Sequence, residues 1–356
     1  MIASRIRSGS VLCSLIGCAV IFTSLKAGAD DLAAVTAGVP SITSLTASAS
    51  NTSPGFRKYL YSFPLASPAL LAGLSGSISI ASHGQGFSQA LISVQCIPAG
   101  QPYPRDGEVY GTYGAIRTRY PSMQRLADFI IKQPAGSSLA TLPIQLTLPA
   151  GIPVSGCLVV VLDGSVRLVG GAFTMSSHVA AHLVSPSPDR PAAKPLLLAD
   201  EFCFARATGG QLATTQTSPH SAFIYVIPVT EPVTLLALYG DVSDSTFGPG
   251  SPGAGPGSWA ITNNYYVYHH CTLRAGIAGP ADYYASIPSD ATKLDSLAMQ
   301  GTGQVSLQQP VYKPFSGTVL QPGDCLVHLV RMTGASDQGG IDAENQVFAL
   351  IQPIAK

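Results

Sequence analysis

Apolar residues fall along this chain in short runs, each broken by Gly, Pro, Asn, Asp or Ser. "LPAGIPVSGCLVVVLDG", residues 148 to 164, shows the habit: prolines and glycines turn the chain just before an unbroken apolar run. Runs of this length, bounded by turn formers, predict β-strands. Each half of the chain holds about seven or eight of them, at the spacing of a Greek-key sandwich or jelly roll. One stretch has helical spacing instead. In "YPSMQRLADFIIKQ", residues 120 to 133, Met123, Leu126, Phe129 and Ile130 recur so as to predict a short helix.

The runs repeat in order. "YLYSFPLASPALLAGLSG" matches "FIYVIPVTEPVTLLALYG", and "ALISVQC", ending at Cys96, matches "NYYVYHHC", ending at Cys271. "LPIQLTLPAGIPVSGC" matches "QPVYKPFSGTVLQPGDC", and the stretch from Cys157 to Pro186 matches that from Cys325 to Pro353. Four blocks in one order predict an internal duplication, with copies at about 59 to 186 and 223 to 353, each long enough to bury its own core. The predicted organisation is a first β-sandwich domain over 30–186, a Pro-rich linker over 187–196 and a second β-sandwich domain over 197–356.

Residues 1–29 stand apart. Arg5 and Arg7 precede the apolar run "VLCSLIGCAVIFTSL", and Ala27-Gly28-Ala29 has the small-x-small form that a signal peptidase reads. A signal peptide and a secreted protein follow, destined for periplasm, cell surface or extracellular space. Reading "LIGC" as a lipobox would instead leave Cys18 acylated. Past this segment no apolar run reaches the roughly 18 residues of a membrane span, so no integral span is expected after cleavage.

Composition supports an exported β-protein. Charged residues make up only 11% of the chain, while Gly (36) and Pro (28) are abundant. Amphipathic helices need charged outer faces, and this chain has few charges to supply them. Net charge is zero and no run of Lys and Arg occurs, which removes the electrostatic handle for nucleic acid or anionic lipid.

Five cysteines follow the signal segment. In an oxidising compartment pairing is expected, and the repeat predicts Cys96 with Cys157 and Cys271 with Cys325, leaving Cys203 as a buried thiol or an intermolecular bridge. Side chains alternate along a strand. If Cys271 points inward, His270 lies on the outer face, where His328 from the strand after Cys325 would meet it, with Met332 further along. His269, His270, His328 and Met332 are thus candidate ligands of a copper ion.

The adjacent histidines on a strand, a later histidine and the two-sandwich plan together resemble the copper-dependent peptide-hydroxylating monooxygenases. That resemblance implies copper in the second domain. The first copy has Gln95 where the second has His270, and Val160 where it has His328, so no matching second centre is implied.

Other candidate chemistry is sparse. No G-x-S-x-G elbow, H-E-x-x-H pair, P-loop or dinucleotide fingerprint occurs. Glu108, Glu201, Glu231 and Glu344 are the only glutamates, so a glycosidase would rely mainly on aspartates; Asp106 with Glu108 is a candidate acid pair. "SDQGGIDAEN" gathers Asp337, Asp342 and Glu344 in what reads as a loop able to hold calcium. Surface aromatics offer recognition instead: Tyr110, Tyr113 and Arg117 in "YGTYGAIRTRY", and Tyr283 and Tyr284 in "ADYYAS", are the candidate ligand-binding residues. The long Gly and Pro stretch over 245–259 reads as a flap beside the histidine strand.

The sequence therefore predicts an all-β, exported protein of two duplicated sandwiches that acts in binding or extracellular assembly, with a glycan or protein partner or as a homo-oligomer. A copper-dependent oxidoreductase or carbohydrate-active enzyme, sited in the second domain, is the alternative.

Overall fold

The computed structural model describes residues 41–51, 57–83, 88–133, 138–164, 172–186, 193–208, 211–212, 220–247, 258–272, 291–302, 306–335 and 339–354. The expected signal peptide over 1–29 and Tyr283 and Tyr284 lie outside these residues. The first half contributes β1 (Ser41–Asn51), β2 (Lys58–Pro64), β3 (Ala69–His83), β4 (Ser88–Ile97), β5 (Glu108–Tyr110), β6 (Gln124–Gln133), β7 (Leu139–Val154), β8 (Cys157–Asp163) and β9 (Ala172–Val184), with one helix, α1 (Tyr113–Arg119). The second contributes β10 (Lys194–Thr208), β11 (Gln211–Leu212), β12 (His220–Pro228), β13 (Val233–Phe247), β14 (Ser258–Tyr268), β15 (Thr292–Thr302), β16 (Ser306–Leu320), β17 (Cys325–Ala335) and β18 (Gly339–Pro353).

These strands build four antiparallel sheets. Sheet A has the order β1-β9-β3-β7 and sheet B the order β5-β2-β8-β4-β6; sheet C is β11-β10-β18-β13-β16 and sheet D is β12-β17-β14-β15. Without the short β5 and β11, both halves show the same two interleaved orders, those of a jelly roll. The two halves also slip register at matching places, between Leu71 and Gly73 in β3 and between Leu235 and Ala237 in β13. A second pair of slips falls between Val94 and Gln95 in β4 and between Tyr265 and Tyr266 in β14. The expected all-β tandem sandwich is the observed fold. The linker ends earlier than the composition suggests, because β10 begins at Lys194.

The helix predicted over 120–133 is a strand. Residues 126 to 133 of β6 are buried on both faces, one toward the first core and one toward the second half. A strand buried on both sides reads as a nearly continuous apolar run, which also satisfies helical spacing. The helix forms just upstream, where Thr112 caps it by accepting the Ala115 amide at 3.1 Å, and Tyr120 and Pro121 end it. Ile116 anchors α1 on the outer face of sheet B among Leu60, Val159 and Val161.

One of the two expected disulfides forms. Cys271 and Cys325 are bonded, with Cα atoms 5.6 Å apart, closing a separation of 54 residues worth about 4 kcal/mol in the chain-entropy picture. Cys96 and Cys157 are free and buried. The cause is register. Ile97 stands opposite Cys157 as Tyr268 stands opposite Cys325, so Cys96 occupies the place of Val267 rather than that of Cys271. Alternation then sends Cys96 into the sandwich core and Cys157 to the opposite face beneath α1. Cys271 lies beyond its strand and returns to Cys325 through a turn at His269 and His270, the latter with φ of 56°.

The halves meet through an edge. β6 ends sheet B and so presents backbone groups that no strand satisfies. The outer face of sheet C covers them with side chains: the Asp241 carboxylate accepts the Ile130 amide at 3.0 Å, the Gln308 amide donates to the Ile130 carbonyl, and the Tyr239 hydroxyl donates to the Leu126 carbonyl at 2.6 Å. Lys132 reaches the Ser243 carbonyl at 3.0 Å, and Arg125, paired with Asp128, donates to Gln346 at 2.9 Å. Tyr239 stacks on Phe348 beside these contacts, and both join the apolar core of the first half. Burial pushes the Asp241 carboxyl well above the usual carboxylate range, against the Ile130 amide, the Lys132 ammonium and the Gln308 amide, which favour its charged form.

Two outcomes follow. Alkylation under denaturing, non-reducing conditions, read by peptide mass spectrometry, labels Cys96 and Cys157 and recovers Cys271 linked to Cys325. In urea unfolding, Asp241→Ala costs about 1–3 kcal/mol because it orphans the Ile130 amide, whereas Ser77→Ala, the matching position on the exposed sheet A, stays within about 0.5 kcal/mol.

Candidate functional site

A cleft of about 730 Å³ opens where α1 of the first half faces the start of β10 in the second. Its floor is apolar, from Ile116, Met123, Ile152 and Leu197, and its polar rim comes from four separate segments: Tyr113 and Arg117 on α1, Gln95 on β4, Gln124 and Arg125 opening β6, and Lys194 opening β10. Among the described residues no carboxylate lines it. The chain has no basic run, yet folding gathers three cations at one opening, which no local pattern reveals.

Each rim residue is held differently. Arg117 is exposed on α1. Arg125 is half-buried and oriented by Asp128 and Gln346, which ties one wall to the domain junction. Lys194 pairs with Glu231 at 3.5 Å, and both are well exposed. The Tyr113 ring has the Lys58 ammonium 4.8 Å from its centroid and the Arg125 guanidinium at 6.0 Å. Lys58 is itself fixed by Asp163 at 3.3 Å in a buried pair.

Tyr110, expected at the same surface, turns away from the cleft. Its hydroxyl donates to Glu108 Oε1 at 2.5 Å while the Tyr120 hydroxyl donates to Oε2 at 2.8 Å, and the two rings meet edge to face. Burial alone would push the Glu108 carboxyl up, but the two hydroxyls, the Arg105 amide and the Arg119 charge outweigh it and hold it below its ordinary value. Burial and the Glu108 partner together push the Tyr110 hydroxyl well up. Asp106 is separately engaged, accepting the Ser62 amide at 2.8 Å. The suspected acid pair is therefore a hydrogen-bonded brace for the α1 segment.

The candidate metal residues do not converge. Cys325 faces outward among Val327 and Leu329, so His328 and Met332 face the core of the second half rather than an outer sheet surface. His328 is fully buried, with Tyr265 at 4.6 Å and Tyr225 at 5.7 Å between ring centroids, and its Nε2 lies 3.0 Å from Asn263 Oδ1. Burial drives its pKa down to about 3. His269 is exposed and lies 3.0 Å from Asp324, while His270 is exposed in the turn. Among the described residues no three His, Cys, Asp or Glu side chains gather to hold a metal ion. The calcium loop is also redrawn: residues 339–345 belong to β18, so Asp342 and Glu344 sit on a strand, and Asp337 lies outside the described residues. Of the flap over 245–259, the two ends belong to β13 and β14 and residues 248–257 lie outside the described residues. Among the described residues no helix is long and apolar enough to cross a membrane, which says nothing of strands.

No protein-family model and no curated protein matches the chain. Solved structures align with it at low identity. PNGF-II aligns at 11% identity and TM-score 0.39 over 88% of this chain, which spans 65% of the length of PNGF-II. A peptide-N(4)-(N-acetyl-β-D-glucosaminyl)asparagine amidase aligns at 12% identity and TM-score 0.31, covering 86% of this chain and 100% of the amidase. The CBM22-1–CBM22-2 tandem domain of Xyn10C from Paenibacillus barcinonensis aligns at 8% identity and TM-score 0.21, over 90% of this chain and 95% of that one.

The buried imidazole makes stability depend on pH. An unfolded chain protonates His328 near pH 6.5, the folded chain not until about 3. Its contribution is therefore whole above pH 6.5 and is lost as pH falls from there toward 3, by about 1.4 kcal/mol per unit. Chemical unfolding at several pH values shows this slope in the native protein and its absence in His328→Val, which installs the residue found at the matching position, Val160.

Proposed function

We propose that this is an exported binding protein whose ligand, a saccharide or comparably hydroxyl-rich molecule, enters the cleft between its two jelly rolls. The cleft carries the reading. Its volume lies within the roughly 300–1,000 Å³ range of small-ligand sites, and an apolar floor with a few convergent polar groups is their usual make-up. A tyrosine ring supplies a flat apolar surface for a sugar face, while the Gln124 amide and the Arg117 guanidinium, both exposed, offer hydrogen bonds to hydroxyls. Arg117, Arg125 and Lys194 add a preference for a carboxylated or sulfated ring over a neutral one.

Export rests on the signal segment over 1–29 and on the Cys271–Cys325 bond, which suits an oxidising compartment. Duplication is the accompanying proposal for the origin of the two halves. Its support is the shared strand order, the shared slips, and a left-handed glycine at one matching place: Gly76 with φ of 132° and Gly240 with φ of 141°. A Cβ on either would lie about 2 Å from a neighbouring strand's carbonyl oxygen, His178 O at 2.1 Å and Gln346 O at 2.0 Å.

The test is a panel of neutral and acidic oligosaccharides followed by calorimetry on whatever binds. The native protein binds an acidic member, Arg117→Ala weakens it at least tenfold, and Lys313→Ala, an exposed cation outside the cleft, leaves it unchanged. Binding that survives both Arg117→Ala and Tyr113→Ala overturns the assignment of the site.

A further inference from the structure

Among the described residues, the contact between the two halves leaves one copy of each of its two surfaces open, apart from the β7 margin of sheet A, which also borders sheet C. Within the chain, the edge strand of the first jelly roll, β6, lies on the outer face of sheet C in the second. The second jelly roll has its own counterpart of that edge, β15, which ends sheet D; the first has its own counterpart of that face, the outer surface of sheet A. Among the described residues both are exposed: Ser296, Ala298 and Gln300 on β15, and Thr46, His178, Thr141 and Gln145 on sheet A.

Register makes the equivalence specific. Ile130 pairs with Leu91 as Ala298 pairs with Thr262, so Ala298 stands where Ile130 stands, with its amide and carbonyl directed away from the sheet. On the face, Ser77 stands where Asp241 caps the Ile130 amide, and Thr141 stands where Gln308 caps the Ile130 carbonyl. A hydroxyl both donates and accepts, so Ser77 and Thr141 can cap an edge strand's amide and carbonyl in the same way.

Charge points in the same direction. The four strands of sheet A contain no Lys, Arg, Asp or Glu. Natural sheets guard exposed edges and faces with charge, lysine above all. On β15 the only charges, Lys293 and Asp295, sit toward one end, and Ser296 to Gln300 is uncharged.

We infer that chains assemble head to tail, with β15 of one copy docking on the outer face of sheet A of the next, by repeating between molecules the contact already made within each one. The contact is heterologous, so it generates a ring or an open filament rather than a closed two-fold dimer. It is independent of the interdomain cleft and of any ligand there.

Ala298→Lys blocks the edge and Ser77→Lys blocks the face, where an ammonium puts a donor at the place the contact needs an acceptor. Light scattering over a concentration series of the full chain gives native masses that climb beyond two chains. Each variant alone, with the native circular dichroism spectrum and melting temperature, stays at one chain, and an equimolar mixture of the two stops at two chains because one intact edge meets one intact face. A native protein that remains at one chain up to its solubility limit overturns the inference, as does assembly that either variant leaves intact. Should either variant misfold, Ser296→Lys on the edge and His178→Lys on the face, which pairs with Ser77, repeat the test at neighbouring exposed positions.

Discussion

The architecture depends on a strand edge that is closed by side chains instead of by another strand. An edge strand carries a row of backbone groups wanting partners, and leaving one buried without a partner costs about 1–3 kcal/mol. In this chain the outer face of sheet C brings a carboxylate, an amide and a phenol to β6, so that Ile130 and Leu126 are bonded across the junction. Those contacts, with Tyr239 and Phe348 packed into the first core, turn two sandwiches into one body. The same junction creates the cleft, because Arg125 belongs to both: it pairs with Asp128, reaches Gln346 across the interface and lines the opening.

The two jelly rolls share a frame but fill it differently. Tyr61, Val160 and Val94 stand side by side in the first, and Tyr225, His328 and Tyr265 in the second. Replacing two valines by an imidazole and a phenol puts a polar stack in the second core and fixes that histidine as a neutral, structural group. Outside the cores the divergence runs the other way. Sheet C spends its outer face on the first half, while sheet A keeps a charge-free outer face exposed.

Much of the frame was legible in the sequence because it rests on local signals. Turn residues every few positions give strands, and four matching blocks in one order anticipate the strand order that the two halves share. Register inside a block is not legible in the same way. "ALISVQC" and "NYYVYHHC" align by their cysteines, yet the strands align Ile97 with Tyr268, and that offset undoes the first disulfide, while His328 faces the core because Cys325 itself faces outward. β6 was misread for a related reason: its second buried face is made by a partner more than one hundred residues away, which no window of the sequence contains. Of the residues that line the cleft, Tyr113 and Arg117 were visible as a surface aromatic beside a cation. Gln95, Arg125 and Lys194 were not, since only the tertiary fold brings their segments together.

Amide hydrogen exchange at Ile130 addresses the central claim most directly, because that N–H belongs to an edge strand and has no strand partner of its own. If the Asp241 carboxylate seals it within one body, it exchanges as slowly as the amide of Val160 in the centre of sheet B. Exchange at the rate of a free peptide would mean that the edge is open and that the two sandwiches are not joined there.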